Sequence, residues 1–107
     1  MRLPYLSLTF IGAALAASQL HAQELGDLQQ GRALAQQVCS ECHAVGTGSE
    51  RSPNTLAPRF EAVAATPGMT ATALNVFLHT SHRVMPNLIL TTDQANGVIA
   101  YILSLKK

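Results

Sequence analysis

Apolar residues recur at helical spacing in four stretches of this chain, and the segments between them carry no period. The first stripe is Leu28, Ala33, Leu34 and Val38, interleaved with Gln29, Gln30, Arg32, Gln36 and Gln37. Asp27 is a suitable N-cap, so a helix is expected from there towards Cys39. Phe60, Val63 and Ala64 follow Pro58 at helical spacing, and this short helix should stop before Pro67-Gly68. Thr70 can cap a third helix, with Leu74, Phe77 and Leu78 on one face and an end around Ser81. The last stripe is the clearest: Thr91 and Gln94 have capping-box spacing, and Ala95, Val98, Ile99, Ile102 and Leu103 share a face. Lys106 and Lys107 should finish that helix where its dipole favours positive charge.

The connections are irregular. From Gly46 to Pro58 the chain turns to Gly, Ser, Thr, Asn and Pro, and a loop of this length is usually functional or wrapped around something. Residues Arg83 to Leu90 also lack a period and contain Met85-Pro86-Asn87. No strand alternation, repeat or low-complexity segment is present, so the expected class is all-α with irregular connections.

The N-terminal stretch reads differently. Arg2 supplies a short positive start, Leu6 to Ala17 form an apolar run, and Ala16, Ala17, Ser18 and Ala22 are the small residues of a cleavage region. Residues 1–22 are therefore expected to be a secretory signal and 23–107 the mature domain, with Ser18 the other candidate for the last signal residue. A membrane anchor fits less well, because a span needs about 20 predominantly apolar residues and Ser7, Thr9, Gly12, Ser18, Gln19 and His21 interrupt this run.

Composition narrows the classes. The 107 residues suffice for one core and not two, and 48% apolar against 12% charged residues excludes a disordered chain. A formal charge of +1 argues against nucleic acid or an anionic membrane as partner. An exported domain this small commonly needs a disulfide, metal or cofactor as a staple.

Cys39-Ser40-Glu41-Cys42-His43 supplies the candidate staple. A C-x-x-C-H run in an exported protein reads as a c-type haem attachment site. Two thiols separated by two residues, on a segment leaving a helix, can each add to one vinyl group of the porphyrin, and the following histidine is placed to bind iron. A redox dithiol would expect a βαβ setting. A structural zinc needs four ligands, and only His79 and His82 remain to complete the set. A plain disulfide in so short a loop would restrain the unfolded chain little.

A low-spin electron carrier also needs a sixth iron ligand. Met85 has the best setting, followed by Pro86 in an irregular stretch just before the last helix. Met69, beside a Pro-Gly turn, and His79 and His82, near a helix end, are the other candidates.

The order Cys39-x-x-Cys42-His43, Ala57-Pro58-Arg59-Phe60, Met85-Pro86-Asn87 and Val98-Ile99-Ala100-Tyr101-Ile102 resembles the small class I cytochromes c of bacteria, over roughly Leu28 to Leu105. That resemblance implies three to four helices around one haem c, attached through Cys39 and Cys42, with its iron held by His43 and Met85. It also implies that the Pro58 carbonyl accepts the Nδ1 proton of His43. The first and last helices would cross closely, Gly31 permitting the approach and Tyr101 or Ile102 filling the contact. Asn87 would donate to the Met85 sulfur or cap a turn, and Arg51 and Arg59 would meet the haem propionates or stay solvated. No tryptophan is present, and no lysine ring surrounds the expected haem edge.

The expectation is therefore a periplasmic, monomeric, non-enzymatic electron carrier, free of the membrane after signal cleavage, which meets its redox partners transiently. A haem sensor or enzyme with an open or displaceable sixth ligand, or a permanent subunit of a dehydrogenase or oxidase, is the alternative.

Overall fold

The computed structural model describes residues 26–48 and 50–107; the expected signal at residues 1–22 lies outside them. Four α-helices and one 3₁₀ turn follow in order: α1 Leu28–Gln37, the 3₁₀ turn Cys39–Glu41, α2 Phe60–Ala65, α3 Ala71–Leu78 and α4 Thr92–Ser104. No strand occurs among the described residues. The class is all-α, as the periodicity requires.

Three of the four helix starts carry local side-chain caps, α2 being the exception. The Asp27 carboxylate accepts from the backbone N–H of Gln29 and Gln30, each at 3.0 Å, and Thr70 Oγ1 accepts from Ala73 N–H at 3.1 Å. Thr91 and Gln94 form a reciprocal capping box, Gln94 N–H to Thr91 Oγ1 at 3.1 Å and Thr91 N–H to Gln94 Oε1 at 2.9 Å.

Two helix ends depart from expectation. α3 stops at Leu78 and does not reach Ser81. Its final carbonyls are taken by side chains: His79 Nδ1 donates to Asn75 O at 2.8 Å, and Thr80 Oγ1 donates to Val76 O at 2.6 Å. α4 ends at Ser104, so Lys106 and Lys107 lie beyond its last turn. Lys107 Nζ instead reaches Glu61 Oε1 on α2, 3.7 Å away.

The core gathers one face of every helix: Ala35 of α1, Phe60 and Ala64 of α2, Leu74 of α3, and Val98, Ile99, Tyr101 and Ile102 of α4. α1 crosses α4 through glycines. A Cβ on Gly31 would collide with the Gly97 carbonyl, and a Cβ on Gly97 would lie 2.9 Å from the Asp27 carbonyl oxygen. The buried backbone of a neighbouring helix is thus why α4 tolerates a glycine in its interior. Tyr101 ties this core to the loop above it, its hydroxyl donating to the Val45 carbonyl at 2.5 Å.

Candidate functional site

The C-terminal end of α1 delivers the chain into the 3₁₀ turn, which holds Cys39 and presents Cys42 and His43 directly after it. His43 N–H and Cys42 N–H both donate to the Cys39 carbonyl, at 2.9 and 3.2 Å. Both cysteines are free and half-buried. Burial pushes the Cys39 thiol above its ordinary pKa, opposed by a hydrogen bond from its own backbone N–H.

The loop that follows folds back and grips this segment. Asn54 N–H donates to the Cys42 carbonyl at 3.1 Å, and Phe60 N–H donates to the Ala44 carbonyl at 3.0 Å. Ala44 N–H donates to Ser52 Oγ at 3.0 Å. His43 Nδ1 lies 2.6 Å from the Pro58 carbonyl oxygen. That oxygen only accepts, so Nδ1 carries the proton and the ring's lone pair sits on Nε2. The Phe60 ring lies against the imidazole, with centroids 5.3 Å apart and planes at 51°.

Part of this segment lines a cavity of about 340 Å³, within the range of roughly 300–1,000 Å³ usual for cofactor pockets. Cys39, Cys42, His43, Pro58 and Met85 all line it. Phe60 and Val63 of α2, Leu74, Phe77 and Leu78 of α3, and Val98 and Ile102 of α4 give it mostly apolar walls.

The other sequence candidates divide. His82 lines the cavity, whereas His79 is spent on the end of α3. Met69 packs against the core and is not on the cavity wall. Asn87 is exposed and off the wall. Arg59 is also off it: its Nη1 donates to the Gly48 carbonyl at 2.8 Å and pairs with Glu61 Oε2 at 3.8 Å. Arg51 does not line the cavity, but Arg83 does. Ser52, Asn54 and Arg83 are the site residues that periodicity and motif leave out. A serine and an asparagine in a loop are the signal for the first two, since such side chains readily bond nearby backbone.

The donor set fits haem c. An apolar cleft is lined by two free thiols and by an imidazole whose Nε2 keeps its lone pair for coordination. Among the described residues no three His, Cys, Asp or Glu side chains gather to hold a metal ion by themselves; a haem would bring its own ring nitrogens to the iron.

Fold and cleft together define a small all-α haem c protein. Residues 26–102 match the family described as cytochrome c oxidase, cbb3-type, subunit III. The chain is also 32% identical over 103 residues to cytochrome c-552 of Bradyrhizobium diazoefficiens, covering 95% of this chain and 98% of that protein. It belongs to this cytochrome c family, and with it come covalent haem c and electron transfer. No solved structure matches the chain.

Proposed function

We propose that this chain is an exported periplasmic electron carrier whose haem iron is held between His43 and Met85. The observation that carries the reading is the convergence of Cys39, Cys42, His43 and Met85 on one apolar cleft. When bound, the haem supplies a one-electron couple between ferrous and ferric iron. The protein's part is to hold and tune it. Cys39 and Cys42 tether the group, so its placement needs no binding equilibrium. Pro58 fixes the His43 ring and increases its basicity by accepting from Nδ1. The Met85 thioether favours reduced iron and so raises the potential relative to a second imidazole. The apolar walls exclude water. The bound haem would exchange single electrons with partners that dock briefly, with no bond of a substrate broken.

No helix among the described residues is long and apolar enough to cross a membrane. The family's description names an oxidase subunit, which favours a second reading: a cytochrome docked permanently on such a complex. Fractionation of the native host separates the two, a free carrier running alone and a subunit running with the oxidase.

The primary test is the visible spectrum of protein matured in a periplasm with haem-attachment machinery. A sharp low-spin ferrous spectrum, with the long-wavelength ferric band diagnostic of a thioether ligand, is expected. Covalent haem without that band would overturn Met85 as ligand and favour a sensor or enzyme.

A further inference from the structure

Arg59, Glu61 and Gly48 form a clasp outside the cleft. Arg59 Nη1 donates to the Gly48 carbonyl at 2.8 Å, and Gly48 N–H donates to Glu61 Oε1 at 3.3 Å. Both backbone groups of one loop residue are thus taken by two side chains at the start of α2. Those side chains pair with each other at 3.8 Å, and Lys107 Nζ lies 3.7 Å from Glu61 Oε1. None of these four residues lines the cleft. The Arg59 side chain is 41% exposed, and an ion pair this long and open to solvent adds little stability. Its consequence is geometric.

We propose that Arg59, braced by Glu61, is a positioning residue for His43: by closing the loop on Gly48 it fixes the Pro58–Arg59 peptide, whose carbonyl oxygen receives the imidazole proton. This rests on the reading of His43 as an iron ligand. The chain between Gly48 and Arg59 includes Ser52 and Asn54, which hold Ala44 and Cys42 on either side of the histidine. Phe60 N–H, on the Ala44 carbonyl at 3.0 Å, anchors the next peptide along. Arg59 stands between that anchor and Pro58, and its side chain adds the hold on Gly48. His43 Nδ1 and the Pro58 oxygen are 2.6 Å apart, and a hydrogen bond weakens steeply as it is misaligned. A small rotation of the Pro58–Arg59 peptide is therefore enough to weaken it.

The sign of the effect separates positioning from charge. A strong Nδ1 hydrogen bond makes the His43 ring a better donor to iron and favours the ferric form. Loosening that bond raises the potential. Removing the positive charge of an arginine favours the ferric form by itself and lowers the potential.

The test uses the haem-loaded full chain. Arg59→Ala should raise the midpoint potential and speed exchange of the His43 Nδ1 proton several-fold, read by nuclear magnetic resonance of ferrous protein labelled with ¹⁵N-histidine. Arg59→Lys, which keeps a donor and the charge, should recover part of both changes. In the unaltered protein labelled with ¹⁵N-arginine, the Arg59 guanidinium should rotate slowly despite its exposure. A potential that falls or stays the same in Arg59→Ala, an unchanged Nδ1 proton exchange rate, or a freely rotating Arg59 guanidinium would each overturn the proposal, and the last of these needs no variant. Absence of haem from the unaltered chain would overturn the site reading as well, which distinguishes the two failures.

Discussion

Gly31 and Gly97 meet backbone to backbone where α1 crosses α4, and neither position has room for a side chain. A methyl group at Gly31 gains about 1 kcal/mol of helix propensity. It must also push the Gly97 carbonyl away, and overpacking of this kind costs typically about 1–3 kcal/mol, more where the obstacle is backbone. Gly31→Ala is expected to destabilise the haem-loaded protein by about 1–2 kcal/mol net. Each kcal/mol lowers Tm by about 4–8 °C in a domain of this size. Thermal unfolding checks it, and an unchanged or higher Tm would contradict the close crossing.

Ser52 bears on the Cys39–His43 segment from across the loop. Its hydroxyl is the acceptor for the N–H of buried Ala44, next to His43. Ser52→Ala strands that donor, at a cost of about 1–3 kcal/mol, whereas Ser52→Thr keeps the bond. Urea unfolding should show the alanine variant's midpoint falling at unchanged slope, with the threonine variant close to the parent. Equal loss in both would mean the hydroxyl is not the reason.

Met85→Ala should open one face of the iron. Carbon monoxide should then bind the ferrous protein, the potential should fall, and the ferric thioether band should vanish. A spectrum like the parent's would move the ligand role to another residue.

Covalent attachment has a direct chemical test. Acid-acetone extraction should leave the haem on the polypeptide, and Cys39→Ala or Cys42→Ala should leave a single thioether, visible as a shifted band in the ferrous pyridine adduct. Haem released from the parent protein would refute attachment through these thiols.

What could be read from the amino-acid order is local. Asp27, Thr70 and Thr91 each start a helix through a bond to the second or third residue on, and such bonds are a property of short sequence. The end of α3 is local too, but it is decided by which of several candidate side chains takes the last carbonyls, and His79 and Thr80 do so ahead of Ser81. The thiols and the histidine after them are likewise evident, because the motif carries its own spacing. The grip of Ser52 and Asn54 on Ala44 and Cys42 is not, since it joins residues that only the folded loop brings together. Nor could charge alone assign the arginines. Arg59 looks available in sequence, but Glu61 and the Gly48 carbonyl claim it, and Arg83 is the one on the cleft wall.

The crossing of α1 with α4 joins the two ends of the domain. Contacts of such high sequence separation carry the loop-closure cost of nearly the whole domain. Cys39, Cys42 and His43 follow the first helix, whereas Val98 and Ile102, which complete the cleft wall, come from the last. The cleft wall is therefore complete only when α4 is docked on α1. A change at Gly31 or Gly97 thus acts on the cleft from the side of α4, without touching the cysteines or His43.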